Sequence, residues 1–179
     1  MSPANPNADL KKANDVAISS KGEIHVSIPG SKKIAVFSQQ GTTLNEITSV
    51  LSPEGEVALK NPQALFIDSK DFLYLYDAEL AKIVVIKPGG KGFLFGQKGS
   101  SLGQIDDVLD IAVDGEGYIY VLNGSRKEID IFSPQGRFVT WIGQAPNTFS
   151  NPCAIGINGN NELYILDKEE ASVFMYDLH

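Results

Sequence analysis

The sequence predicts an all-β fold made of about four copies of one four-stranded antiparallel unit. Short apolar runs rich in β-branched and aromatic residues alternate with breaks that contain Gly, Asp, Asn and Ser. Such runs are typical of strands, and such breaks are typical of tight turns. The same alternation recurs along the chain at a nearly constant interval, which indicates repeats of one structural unit.

One copy shows the unit clearly. Residues 108–132 read VLDIAVDGEGYIYVLNGSRKEIDIF and contain three strand-like runs, at 111–113, 118–122 and 129–132. The break at 114–117, Asp-Gly-Glu-Gly, supplies a side chain that can bond its own backbone and glycines that accept a positive φ. A further turn at 133–136 leads into a fourth run that ends at Gly143. We therefore predict a four-stranded meander.

The other copies align with this one over their first three strands. The last apolar residue of the first strand recurs at intervals of 49, 46 and 44 residues, at Ile18, Ile67, Val113 and Ile157. Sixteen residues later, each copy again places an aliphatic residue: Ile34, Ile83, Ile129 and Val173. The length varies only after the third strand, where loops tolerate insertion.

A repeat of about 45 residues with four strands is typical of a β-propeller blade. The predicted organisation is a polar N-terminal segment at 1–13 followed by repeats at about 14–60, 61–105, 106–150 and 151–179. The last repeat is predicted to lack its fourth strand. We therefore expect open strand edges, and a chain that is part of a longer propeller or that completes a ring with another chain; the alternative is a closed four-bladed ring.

The repeat resembles the NHL family of β-propellers. The resemblance is carried by DIAVDGEGYIYVLNGSRKEIDIFSPQGRF and by the segments that begin at Asn61 and Asn151, and it covers the chain from about Asn14 onward. It implies a propeller, which in this family usually has six blades, and it implies little about activity. The family pattern places Asn and Arg before the third strand, whereas here only Arg126 lies near that position.

The amino-acid composition limits the classes of partner and the location that we expect for this protein. Fifteen basic and 22 acidic residues give a net charge of −7, which disfavours binding to nucleic acid phosphates. No apolar run approaches the roughly 20 residues that span a bilayer, and the first residues do not read as a signal peptide. The native compartment is left open, with an extracytoplasmic location favoured. The single cysteine, Cys153, is interpreted as a packed structural thiol.

The candidate binding residues lie in the loops between the second and third strands of each copy. They are Asp77, Glu79, Asn123, Arg126, Asp167, Glu169 and Glu170. Propeller geometry would place these loops and the blade entries on one largely acidic face. Three of the residues, Asp77, Asn123 and Asp167, share one repeat position at the end of the second strand, which also predicts side chains that close a turn.

An enzymatic alternative rests on a second repeat position. Asp15 and Asp110 lie three residues before the alignment point, at the start of innermost strands, where carboxylates could reach a central channel and hold a divalent metal. This pattern resembles that of lactonase-like or lyase-like propellers. His25 takes a position that the other copies fill with tyrosine, so we interpret it as a polar-tipped substitute for that ring.

The sequence contains no assembled nucleophile, general base or phosphate-binding loop. We therefore predict a non-enzymatic interaction or scaffold module without a cofactor, which binds a protein partner or a larger assembly through one loop face or through open strand edges.

Overall fold

The computed structural model describes residues 10–143 and 148–178. These residues form sheets of short antiparallel strands, which confirms the all-β prediction. The chain divides into two compact units, Met1–Leu94 and Phe95–His179, and each is described by itself. No helix in the described ranges is long and apolar enough to cross a membrane.

The first unit contains two blades and a hairpin. The first sheet consists of β1 (Val16–Ile18), β2 (Ile24–Ile28), β3 (Lys33–Phe37) and β4 (Thr43–Ile47). A short 3-10 turn, Pro29–Ser31, connects β2 to β3. A two-stranded hairpin follows, with β5 (Ser49–Ser52) and β6 (Gly55–Ala58). The second sheet consists of β7 (Pro62–Ile67), β8 (Leu73–Asp77), β9 (Lys82–Ile86) and β10 (Gly92–Phe95).

The second unit contains the remaining two sheets. The third sheet consists of β11 (Val108–Val113), β12 (Ile119–Asn123), β13 (Glu128–Phe132) and β14 (Phe138–Ile142). The fourth sheet has three strands, β15 (Pro152–Ile157), β16 (Glu162–Asp167) and β17 (Ser172–Asp177). Within the described residues the last repeat therefore contributes only three strands, as its sequence predicts.

In each unit the core lies between neighbouring sheets. One face of the first sheet, including Ala17 and Ile34, packs against the second sheet through residues such as Leu73 and Leu75. The third and fourth sheets pack in the same manner. This face-to-face packing of antiparallel meanders is the arrangement of propeller blades.

The hairpin β5–β6 is an addition that the repeat alignment does not predict. The alignment shows only that the connection after the first copy is the longest. In the structure Val50 of this hairpin is fully buried and joins the core between the first two sheets. The extra residues thus form a small sheet that supports the core.

In each of the four repeats, the turn between the second and third strands contains a residue in the left-handed conformation. The residues at this repeat position are Lys32, Ala81, Lys127 and Ala171, with φ between 48° and 57°. A residue with a Cβ atom is strained in this region, whereas glycine is not.

We expect Ala171→Gly to stabilise the fold, because glycine relieves the strain at φ 48°. The expected gain is about 0.5 to 1 kcal/mol in the free energy of unfolding, measured by urea titration. The control is Ala58→Gly in β6, where glycine should instead destabilise because the backbone is an ordinary strand. Equal effects at the two positions would contradict the strain argument.

Candidate functional site

The third sheet shows how one face of a blade is normally covered. Its residues Ala112, Tyr120, Leu122, Ile129 and Ile131 are at most 8% exposed. They pack against the opposite face of the fourth sheet, which carries the side chains of Leu163, Ile165, Phe174 and Tyr176. Each blade in this unit thus offers one apolar face to its neighbour.

The equivalent face of the fourth sheet is uncovered. We call the side chains of Tyr164, Leu166, Val173 and Met175 the open face, because their cross-strand pairs place them on the same side of the sheet. Leu166, Val173 and Met175 are 43%, 61% and 55% exposed. They occupy the repeat positions of Leu122, Ile129 and Ile131, which are buried in the third sheet. The open face is therefore a blade surface without a covering sheet among the described residues.

The outer edge of the same sheet is also distinctive. In the first three sheets the third strand pairs with a fourth strand, as β13 pairs with β14. In the described part of the fourth sheet, β17 pairs with β16 and is the last strand in the order. The open face and the edge of β17 are adjacent, so this sheet can meet another one both by side-chain packing and by main-chain pairing.

Asp77 and Asp167, two of the predicted binding residues, are fully buried. The Asp77 carboxylate accepts hydrogen bonds from the backbone N–H groups of Lys60, Asn61 and Leu80, at 2.7, 3.0 and 3.1 Å. Its bond with Leu80 closes the turn that the sequence predicts. Its bonds with Lys60 and Asn61 also attach the segment that enters the blade. This carboxylate is therefore committed to the internal structure of the second sheet.

Asp167 makes the same arrangement in the fourth sheet. It accepts hydrogen bonds from the backbone N–H groups of Ser150, Asn151, Glu169 and Glu170, at 2.8 to 3.1 Å. Burial would raise the pKa of Asp167, but these backbone donors outweigh burial and hold the pKa below its ordinary value. The carboxylate is thus bound more strongly in its charged form.

We expect Asp167 to make the fold sensitive to acid. Because its pKa is lower in the folded than in the unfolded chain, its stabilisation is present above the ordinary pKa of 3.8 and is lost as the pH falls further. Urea titrations at neutral pH and near pH 3 should show a loss of stability that is smaller in Asp167→Asn. An unchanged pH dependence in that variant would assign the acid sensitivity to other carboxylates.

Asn123 and Arg126 hold a second internal network, in the third sheet. Asn123 is fully buried, and its Nδ2 donates to the carbonyl of Gln104 at 3.3 Å. The Arg126 guanidinium donates to the carbonyls of Ser101 and Gln104, at 2.9 and 2.8 Å. Arg126 therefore fixes the loop before β11.

The same guanidinium also neutralises carboxylates of β13. Its Nε donates to Glu128 at 3.0 Å, and its Nη2 donates to the fully buried Asp130. The repeat alignment shows no function for Asp130, because its position is apolar in the other copies. The one sequence signal is the pairing of Arg126 with an acidic residue four positions later.

The remaining predicted residues are Glu79, Glu169 and Glu170, and all three are exposed. Glu79 belongs to the first unit, whereas the other two lie in the turn between β16 and β17. Glu170 also accepts a hydrogen bond from the Ser150 hydroxyl. Of the three exposed residues, Glu169 and Glu170 are the ones at an end of the sheet that carries the open face.

Asp15 and Asp110, the carboxylates of the metal alternative, connect neighbouring blades. The two oxygens of Asp15 accept hydrogen bonds from the N–H groups of Val16 and Leu65, at 2.8 and 2.7 Å. Asp15 thus links the first strand of its own sheet, β1, to the first strand of the next sheet, β7. In the ranges that the structure describes, no group of three or more His, Cys, Asp or Glu side chains is placed to hold a metal ion.

Asp110 repeats this arrangement in the second unit. Its oxygens accept hydrogen bonds from the N–H groups of Ile111 in β11 and Ile155 in β15, both at 2.8 Å. The two contacts join the third sheet to the fourth sheet.

A family model described as DUF5128, 6-bladed beta-propeller, matches residues 98–179. A search of curated proteins found no match. The family match and the sheets described above identify the fold as that of a β-propeller, while the NHL resemblance stays an interpretation of the repeat sequence.

Solved structures share the fold at low sequence identity. Hydrazine synthase from Kuenenia stuttgartiensis is 15% identical with a TM-score of 0.68, and the alignment covers 99% of this chain and 49% of that chain. Virginiamycin B lyase from Staphylococcus aureus is 15% identical with a TM-score of 0.65, covering 97% and 57%. A chain of the nidogen/laminin complex is 20% identical with a TM-score of 0.65, covering 93% and 59%. The chain thus spans about half to three fifths of their lengths.

Proposed function

We propose that this chain is a non-enzymatic protein-interaction module that binds a partner through the open face of its fourth sheet. The exposure of Val173 and Met175 carries this proposal, since residues at the same repeat positions of the third sheet are buried by a neighbouring blade. Exposed apolar side chains in a contiguous row on a rigid sheet are a typical protein-binding surface.

The apolar side chains of the open face indicate which kind of surface the partner carries. In the third sheet the equivalent face is covered by Leu163, Ile165, Phe174 and Tyr176, which are side chains of a neighbouring antiparallel sheet. The partner of the open face is therefore a β-sheet with an apolar row of this kind. One of its strands can add to the edge of β17 by main-chain hydrogen bonds.

The partner sheet belongs to a different polypeptide or to a further segment of a longer one. A second copy of this chain could use the outer face of its first sheet, but Val26, Ile28, Ala35 and Phe37 of that face are already buried. The similar solved chains are longer than this one, and one of them comes from a complex of two proteins. These observations support a heterologous partner over self-association.

The charge of the turn beside the open face adds specificity. Glu169 and Glu170 are exposed there, and the chain carries a net charge of −7. A basic or polar rim on the partner would complement these carboxylates. Salt should then weaken association, because exposed charges are screened over about 8 to 10 Å at physiological ionic strength.

We expect the double variant V173K/M175K to lose partner binding while the chain remains folded. Two ammonium groups at the centre of an apolar contact would be buried without counter-charges, which should weaken binding by about tenfold or more. The measurement is a pull-down from the source organism with mass spectrometric identification, followed by affinity measurement with the purified partner. Val139→Lys is the matched control, because Val139 is 51% exposed on the complete third sheet.

Charge reversal at Glu169 and Glu170 distinguishes binding through the open face from binding through the loop face. If the open face binds, E169K/E170K should reduce affinity modestly and lower its salt dependence, and E79K should have no effect. If V173K/M175K binds the partner as wild type does, while E79K/E169K/E170K does not, the loop face is the binding surface and the proposal is wrong. Light scattering that shows concentration-dependent dimers would instead favour self-association.

A further inference from the structure

A cavity of about 470 Å³ lies within the unit Met1–Leu94, between the first and second sheets. Its lining includes Ser19, His25 and Asn45 on the side of the first sheet and Ile67, Leu73 and Ile86 on the side of the second sheet. The volume is in the range of small-molecule sites, roughly 300 to 1,000 Å³. The cavity therefore has one polar wall and one apolar wall.

The repeat shows what is different about the polar wall. In the second and third sheets a tyrosine hydroxyl donates to an aspartate, with Tyr74 paired to Asp68 and Tyr120 to Asp114, each at 3.1 Å. The first sheet carries His25 at the tyrosine position and Ser19 at the aspartate position. Both side chains are shorter, so the first copy lacks the phenol and the carboxylate that the other two sheets supply at this place.

The His25 imidazole lines the cavity and can still form hydrogen bonds there. Its Nδ1 lies 3.4 Å from the carbonyl oxygen of Glu23, and its ring lines the cavity. Burial lowers the pKa of His25, so the imidazole is neutral at pH 7. In the part of the chain that the structure describes, the Nε2 atom has no protein partner and can bond a ligand hydroxyl.

The rim of the cavity carries two cations. Lys21 and Lys87 are exposed and line the opening. The Asp71 carboxylate is engaged by the backbone N–H and the hydroxyl of Ser20, both at 2.7 Å, and these bonds lower the pKa of Asp71. Glu23 adds one more carboxylate to the lining. The opening thus carries two lysines and two carboxylates, and the Lys87 Nζ also lies 5.5 Å from the centroid of the Phe72 ring. Lys21 and Lys87 are the groups that an anionic part of a ligand would contact.

We propose that this cavity binds a small phenolic carboxylate. The phenol ring would take the place that a tyrosine ring fills in the other sheets, against the apolar wall at Ile67 and Leu73. Its hydroxyl would bond His25 and Ser19, and its carboxylate would lie near the lysines at the rim. This site is independent of the open face, since the two lie in different units.

The test measures binding of 4-hydroxyphenylacetate to the full chain by calorimetry and ligand-observed NMR. We expect saturable binding at millimolar or lower concentration. Phenylacetate, which lacks the hydroxyl, and tyramine, which replaces the carboxylate by an ammonium group, should each bind more weakly. Absence of saturable 4-hydroxyphenylacetate binding would overturn the proposal, and equal binding of tyramine would overturn the assignment of the carboxylate to the lysines.

Two variants locate the site. S19D/H25Y restores the tyrosine–aspartate pair of the other sheets, so it should fold and abolish binding. K21E/K87E changes only exposed rim residues and should weaken binding by about fivefold or more, which is the contribution of an exposed charge contact or two. The control K60E/K98E changes two exposed lysines outside the cavity and should bind as wild type does. Wild-type affinity in both cavity variants would place the ligand elsewhere and overturn the proposal.

Discussion

Arg126→Ala is expected to lower the free energy of unfolding by about 3 to 5 kcal/mol, because it removes one partner of a buried ion pair. The variant leaves the fully buried Asp130 without its guanidinium. It also removes the donors that hold the carbonyls of Ser101 and Gln104. Urea titration followed by tryptophan fluorescence measures the effect, since Trp141 lies opposite Asp130 in the third sheet.

The pH dependence of this variant identifies the cause. Burial raises the pKa of Asp130, and this effect outweighs the opposing influence of Arg126. A raised carboxyl pKa means that the folded chain binds a proton more readily than the unfolded chain, so stability is lost as the pH rises through that pKa. The destabilisation by Arg126→Ala should therefore be larger at pH 7 than at pH 5. A larger destabilisation at pH 5 than at pH 7 would show that the unpaired Asp130 carboxylate is not the cause of the loss in stability.

A double variant supplies the matched control. In the second sheet the repeat position of Asp130 is occupied by Val84, which is fully buried in the core. Replacing both partners with apolar residues, as in R126A/D130V, should recover much of the loss, because no buried charge then remains unpaired. If the double variant is as unstable as Arg126→Ala, the loss comes from the released loop at Ser101 and Gln104.

Asp77→Ala should cost roughly 3 kcal/mol, because three backbone N–H groups lose their acceptor at a fully buried position. Asp77→Asn keeps one acceptor oxygen and should cost less, as Asn123 serves at the equivalent position of the third sheet. Thermal and urea unfolding of the two variants measure the difference.

The comparison with Glu79→Ala tests whether burial is decisive. Glu79 is exposed two residues after Asp77, so its replacement should change stability by no more than about 0.5 kcal/mol. If Asp77→Ala unfolds as wild type does and yet loses a binding partner, the residue would be a binding residue, as the loop pattern alone suggests.

The repeat positions explain why the fold could be predicted from the sequence. The aliphatic residues at 34, 83 and 129 recur at a constant offset from the end of the first strand because this position is buried in each copy, and all three are fully buried. The hairpin β5–β6 could not be predicted in this way. It occurs once, and only Val50 of its eight strand residues is buried, so the hairpin carries neither a repeat nor a strong apolar alternation.

The candidate site was harder to predict because its residues look alike in all copies. Val173 and Met175 align with buried residues, and their exposure depends on the sheet that lies beside them rather than on their own sequence. Asp77 and Asp167 were predicted as binding residues, with turn closure as the other interpretation, and in the structure both carboxylates accept hydrogen bonds from N–H groups of the turn that follows. Their carboxylates also bind Lys60 and Ser150, each 17 residues earlier in the sequence, and a contact over that separation cannot be predicted from the local sequence pattern.

The aspartate links between blades bear on the folding units of the molecule. Asp15 and Asp110 occupy a repeat position that holds Ala64 and Ala154 in the other two copies, so the link occurs in every second blade. It coincides with the division of the chain into two units of two sheets each. If the two sheets of one unit separated, the aspartate carboxylate and the N–H group of the neighbouring strand would both lose their hydrogen-bond partner. The two blades of a unit are thus expected to open and close as a single cooperative foldon.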